Sequence, residues 1–212
     1  LLGSTPLAAL GDITDEFDET VVIDIDTVRN GTENGVQRAT VTIQDDDNPP
    51  LLTLFIDSVT MNEKESPNSA TVTATLNPKS EKEVTVTLNI NGTGTAIDNT
   101  DYRFSSMTIV IPAGSLSART TVSAIDDTLE ELDETIITDM TCDSTCTEDG
   151  IQQKTVTIID DELKPTVTLS VGNNNIGEDQ GTTATAVTAT LNRASGLDVT
   201  VRLAKGGTAT DT

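Results

Sequence analysis

The strongest constraint on this chain is that it repeats itself. Displaced by 115 positions, the sequence aligns with itself without a gap from Asp12 to the C-terminal end. "DEFDETVVID" at 15–24 falls on "EELDETIITD" at 130–139, and "ATVTIQDDD" at 39–47 falls on "KTVTIIDDE" at 154–162. "TVTATLNPKSEKEVTVTL" at 71–88 falls on "AVTATLNRASGLDVTVRL" at 186–203. A unit of this length is the size of one β-sandwich domain, about 100 residues. Acidic runs meet prolines in "DDDNPP" and "DDELKP" and set the phase. Residues 1–48 are then the C-terminal part of a first repeat, 51–163 a complete second repeat, and 165–212 the N-terminal part of a third.

Within the complete repeat the apolar residues recur with period two, the signature of half-buried strands. Strands are expected at 51–56, 70–76, 84–90, 107–111, 119–125, 135–140 and 154–159. Val72, Ala74 and Leu76 should face a core while Thr71, Thr73 and Thr75 face water, as in antiparallel sheets with one wet side. Val84, Val86 and Leu88 repeat the pattern. Turn residues punctuate the runs at "NPKS", "NGTG", "PAGS" and "EDG". The expectation is all-β: tandem immunoglobulin-like, seven-stranded Greek-key β-sandwiches with no helix of length. Tyr102 and Phe104 are the few rings available to a core of Val, Ile, Leu and Ala.

Composition narrows the chemistry. With 35 acidic and 12 basic residues the net charge is −23, so nucleic acid and anionic membrane, which are bound through Lys and Arg, are not expected partners. There is no His, no Trp and only 2% aromatic residues. That removes His general-base chemistry and most aromatic-lined pockets, and no enzyme activity is expected. Paired carboxylates without sugar-stacking rings do not make a glycosidase. No apolar run approaches the ~20 residues of a membrane helix, and "LLGSTPLAALGD" lacks the basic start of a signal peptide.

Cys142 and Cys146 have no His or further Cys to complete a zinc site. A local disulfide is favoured over free thiols and would imply an oxidising compartment. Closing so short a loop stabilises little, and the positions 115 earlier are Thr27 and Gly31, so the bridge elaborates one repeat only. The sequons at Asn30 and Asn91 are open to N-glycosylation but no more frequent than this Asn- and Thr-rich composition supplies.

The acidic residues gather at strand ends. They are Glu63 after the first strand, Asp101 after the third, the run "DDTLEELDE" from Asp126 to Glu134 after the fifth, and Asp160, Asp161 and Glu162 after the last. Surface acidity for high-salt life would instead spread over the strand faces, which carry Thr. Two unit charges 4 Å apart repel by about 4 kcal/mol at an effective dielectric of about 20, so such loops converge only around a cation. Calcium, with six to eight oxygen ligands and tolerant geometry, suits carboxylates from separate loops better than magnesium does.

These residues carry a family resemblance. "DDTLEELDET" followed by a strand, a hairpin and "TVTIIDDE", and preceded by "GTGTAIDNTDYRFSSMTIVIPAGSLSART", resembles the Calx-beta repeat. That repeat is known from sodium–calcium exchangers, an integrin beta subunit and long extracellular and bacterial surface proteins. The resemblance implies calcium ligands at Glu63, Asp101, Asp126, Asp127, Glu131, Glu134, Asp160, Asp161 and Glu162. In the first repeat it implies Asp12, Glu16, Glu19, Asp45, Asp46 and Asp47, and in the third Glu178. The departure is at residue 162, where Glu stands in place of a third Asp and its longer side chain puts one ion in doubt.

The functional expectation is a calcium-binding tandem-repeat module, structural or adhesive, of a long extracellular or cell-surface protein. Its partners would be the neighbouring repeats and other chains of a surface assembly. The chain opens on Leu1 and begins and ends within repeats, as a segment of a longer native assembly such as a fibre or appendage would. The alternatives are a cytosolic calcium sensor, as in the exchangers, with reduced Cys142 and Cys146, or a spacer that binds no metal.

Overall fold

Alternation of Val, Leu and Ala with Thr decides which side of each strand leaves water. A computed structural model describes residues 3–177 and 184–209. In chain order its strands are β1 (Glu19–Asp24) and β2 (Arg38–Ile43), followed within the second repeat by β3 (Leu51–Ile56), β4 (Thr60–Asn62), β5 (Ser69–Asn77), β6 (Val84–Ile90) and β7 (Tyr102–Phe104). Then come β8 (Thr108–Ile111), β9 (Ser117–Ala124), β10 (Glu134–Cys142), β11 (Thr147–Glu148) and β12 (Lys154–Ile159), and finally β13 (Val167–Val171) and β14 (Val187–Leu191). The fold is all-β, and the described residues contain no helix.

The second repeat is two five-stranded sheets, ordered β4-β12-β10-β6-β8 and β11-β3-β5-β9-β7. Their facing sides bury one cluster: Leu52, Leu54 and Ile56 from β3, Val72, Ala74 and Leu76 from β5, Val84, Val86 and Leu88 from β6, and Ile136, Met140, Val156 and Ile158 from β10 and β12. Thr71, Thr73 and Thr75 lie on the outer face of β5, half-buried rather than fully exposed. Tyr102 and Phe104 close one side of the core edge-to-face, with ring centroids 5.9 Å apart, an arrangement the ring quadrupoles favour.

All seven expected strands form, and three short ones join them. After Ile56 the chain crosses from one sheet to the other, so β4 pairs in parallel with β12 and buries Met61. Strand β7 pairs with β9, and β11 pairs in parallel with β3 beyond the disulfide-bonded Cys142–Cys146 loop. Elements of two or three residues are too short for periodicity to reveal.

The partial repeats reproduce the second repeat's pairing. Glu19 faces Ile43 in β1–β2 as Glu134 faces Ile158 in β10–β12. Val167 faces Leu191 in β13–β14 as Leu52 faces Leu76 in β3–β5. Because a slip of one residue would turn every side chain to the other face, the repeated apolar pattern holds the repeated register.

Candidate metal centre

Four connections bring carboxylates to one end of the sandwich. Glu63 follows β4, and its N–H donates to the Ile159 carbonyl at 3.3 Å, which sets it beside the 160–162 segment. Asp101 ends the β6–β7 connection; its carbonyl accepts from the Ile125 N–H at 2.9 Å, and its Oδ2 accepts from the Ile97 N–H at 2.5 Å. The acidic loop between β9 and β10 is tied to the end of β12 twice. The Glu131 N–H donates to Asp160 Oδ1 at 3.2 Å, and the Asp160 N–H donates to Asp133 Oδ1 at 3.4 Å. Gly94 lets the β6–β7 connection lie against β10, because a Cβ there would stand 2.6 Å from the Thr135 carbonyl oxygen.

Two clusters result. Carboxylate oxygens of Glu63, Asp161 and Glu162 lie within 4.8 Å of one another, and so do those of Asp101, Glu131 and Glu134. The charges of Asp127 and Asp160 each act on a member of both clusters, Glu63 and Glu131. Glu63 and Asp101 are each only 7% exposed.

The charge state records the crowding. Burial, followed by the charges of Asp127, Asp160, Glu162 and Glu131, pushes the Glu63 carboxyl up to about 8. Burial and then the adjoining Asp101 push Glu134 up to about 7. Glu131, Asp160 and Glu162 are also raised, with burial again the largest cause. Glu134 Oε2 and Glu162 Oε2 are buried with no hydrogen-bond partner. A buried oxygen without a donor is costly, and so many like-charged acceptors together are best neutralised by protons or by a cation. The donor set is entirely oxygen, supplied by separate loops, and fits a hard cation with many ligands. Glu162, for all its extra length, belongs to the Glu63 cluster.

Other predicted positions fall elsewhere. Asp126 belongs to neither three-oxygen cluster and faces Lys64 at 3.8 Å on the surface, although its charge also acts on Glu162. Asp12, Glu16, Glu19, Asp45, Asp46 and Asp47 line one open hollow of about 410 Å³ in the first repeat. Among the described residues no three of their oxygens come within 4.8 Å of one another. Glu178 lies outside the described residues. Cys142, Asp143 and Cys146 also converge, but both sulfurs are committed to the disulfide and neither is a thiolate. Asn30 is exposed, and Asn91 Oδ1 accepts from both the N–H and the hydroxyl of Thr93 at 3.1 Å.

Two carboxylates that the spacing did not single out are among the most buried. Asp15 is 3% and Glu130 is 6% exposed, and each bridges to a serine of the following repeat. The available signal was an acid at 15 and 130 matched by a serine at 80 and 195.

No protein-family model matches the chain, and no curated protein matches it. Among solved structures it is similar to the apo form of the Calx CBD1 domain, at 21% identity and a TM-score of 0.40 over 52% of this chain and 98% of that one. It is also similar to calcium binding domain CBD12 of CALX1.1, at 20% identity and a TM-score of 0.42, covering 51% of this chain and 44% of that one. A two-domain protein of unknown function from Bacteroides fragilis matches at 9% identity and a TM-score of 0.43, over 59% of this chain and 56% of that one. At these scores the likeness carries no function across by itself.

Proposed function

We propose that this chain is a calcium-binding, tandem-repeat structural module of a long extracellular or cell-surface protein, suited to an adhesive or fibre-forming role. The observation that carries the reading is the pair of carboxylate clusters, each built on one buried acid, Glu63 or Asp101, with Glu134 Oε2 and Glu162 Oε2 buried and unpartnered. Glu63, Asp161 and Glu162 would hold one ion, and Asp101, Glu131 and Glu134 another, with Asp127 and Asp160 shared between them. Calcium supplies there the positive charge that lets all these groups ionise together. The ligand segment 160–162 runs directly into Lys164 and Pro165, so a bound ion would order the exit from the repeat as well as the loop.

Weak sites suffice outside the cell, where modules of this kind bind at about 10⁻⁴–10⁻³ M. The Cys142–Cys146 disulfide favours an oxidising compartment over a cytosolic sensor. The test is calorimetric titration of the full chain with calcium, together with thermal melting in calcium and in chelator. At a tenfold excess over Kd, each site should add about 1.4 kcal/mol, about 3–5 °C in Tm for a chain of this size. An unmoved Tm and a flat titration would sink the calcium reading, and sub-micromolar affinity would favour the sensor.

A further inference from the structure

The contact between the first and second repeats recurs between the second and third with the same atoms. At the first junction the Ser80 hydroxyl donates to Asp15 Oδ2 at 3.0 Å, and the Glu81 N–H donates to the Asp15 carbonyl at 3.0 Å. At the second the Ser195 hydroxyl donates to Glu130 Oε2 at 2.7 Å, and the Gly196 N–H donates to the Glu130 carbonyl at 3.0 Å. Each serine Oγ in turn accepts from the N–H two residues on, Lys82 or Leu197, at 3.0 and 3.1 Å. Both pairs are 65 residues apart in sequence and form an isolated parallel bridge. The acid comes from the loop before one repeat's penultimate long strand. The serine comes from the turn after the next repeat's second long strand.

The junctions differ at several matched positions, and the change from Lys82 to Leu197 removes a cation. Lys82 reaches Asp15 Oδ1 at 2.8 Å and Asp45 Oδ2 at 3.4 Å, and its ammonium lies 5.3 Å from the Phe17 ring centroid. The matching residues of the second junction are Glu130, Asp160 and Leu132, and Leu197 stands where Lys82 does and offers them no charge; Lys164 lines one hollow with Glu130 and Leu197 but forms no ion pair with Glu130. A carboxylate as buried as Asp15 is costly without a partner, and Lys82 supplies that partner from across the junction.

We propose that successive repeats lock head to tail through this acid–serine latch, and that Lys82 is a built-in counter-cation that makes the first junction the tighter of the two. The partner surface for each "NPKS"-type turn is therefore the acidic loop of the preceding copy of the same repeat. The hydrogen bonds of the latch use no carboxylate of the two proposed calcium clusters, so it is tested in chelator.

The experiment is ¹⁵N relaxation on the full chain with chelator present, comparing amides of β1–β2, of the central sandwich and of β13–β14. In the unmodified chain β1–β2 should share the sandwich's tumbling, while β13–β14 should show a shorter correlation time. Lys82→Leu and Ser80→Ala should each release β1–β2, and Leu197→Lys should bring β13–β14 into the shared tumbling. Retained chemical-shift dispersion of the sandwich amides separates release of a junction from loss of fold. The proposal is overturned if β1–β2 tumbles independently in the unmodified chain, or if Lys82→Leu and Ser80→Ala leave its tumbling unchanged. It is also overturned if Leu197→Lys has no effect on β13–β14.

Discussion

Glu131 occupies the space that a side chain at Gly196 would need. A Cβ on Gly196 would stand 2.6 Å from Glu131 Oε1 and 2.7 Å from its Cγ, so a ligand candidate of the second repeat is packed against the backbone of the third. The obstructing atoms belong to a flexible side chain and can swing aside at modest cost. The displaced carboxylate would then leave the Asp101–Glu134 cluster. Gly196→Ala is therefore expected to change metal-free stability by under about 1 kcal/mol while lowering calcium affinity about tenfold, or 1.4 kcal/mol. Calorimetric titration against thermal melting in chelator separates the two effects.

Substitution at Glu63 should move stability and binding in opposite directions. Its carboxyl is buried among Asp127, Asp160 and Glu162, so Glu63→Gln removes a charge the metal-free protein tolerates poorly. Metal-free stability at pH 8 should rise by about 1–2 kcal/mol, while calcium binding weakens. If both quantities fell together, Glu63 would be a packing residue and not a ligand.

A proton and the proposed calcium ion would compete for the same oxygens, which fixes the sign of the pH dependence. Glu63 and Glu134 titrate near 8 and 7 in the folded chain against a usual value of 4.5, so between these limits the folded state binds more protons than the unfolded one. The stability they contribute is full below about pH 4.5 and is lost as pH rises to about 8. In chelator Tm should fall across that window. Saturating calcium should flatten the fall, and calcium affinity should rise over the same range. A Tm in chelator that climbed from pH 5 to pH 8 would contradict the crowded-carboxylate account.

Asp126 provides the internal contrast. It sits outside both clusters and faces Lys64 with both side chains largely exposed, so Asp126→Asn should change stability by under about 0.5 kcal/mol and calcium affinity less than Glu131→Gln does. Equal losses in the two variants would extend the centre to include residue 126.

Ile136 tests the sandwich separately from the metal. It is 1% exposed within β10, and Ile136→Ala should cost about 2–4 kcal/mol in denaturant unfolding, with or without calcium. A calcium-dependent cost would mean that the apolar core and the acidic end do not contribute independently.

The β-sandwich was legible because its signals are local. Val84, Val86 and Leu88 alternate with polar neighbours, and that alternation alone assigns the buried face of β6. The strands β4, β7 and β11 were not legible, since a segment such as Thr147–Glu148 pairs only because β3 is already beside it. The acidic end was legible as a set of loops and not as a set of contacts. All nine second-repeat positions are legible as acids at strand ends, yet nothing along the chain tells that Asp126 faces Lys64 while the charge of the adjacent Asp127 acts on both Glu63 and Glu131.

What the sequence determined by itself is the repeat period, the strand faces and the gathering of carboxylates at strand ends, because each is written in residues close together along the chain. Only the tertiary structure decided which of two neighbouring acids joins the carboxylate cluster and which meets the next repeat. Glu130 and Glu131 are adjacent and chemically alike, but one accepts from Ser195, 65 residues away, and the other joins Asp101 and Glu134. In an irregular loop no periodicity assigns direction to a side chain. Direction is set there by partners distant in sequence, which become neighbours only once both sheets and the following turn have come together.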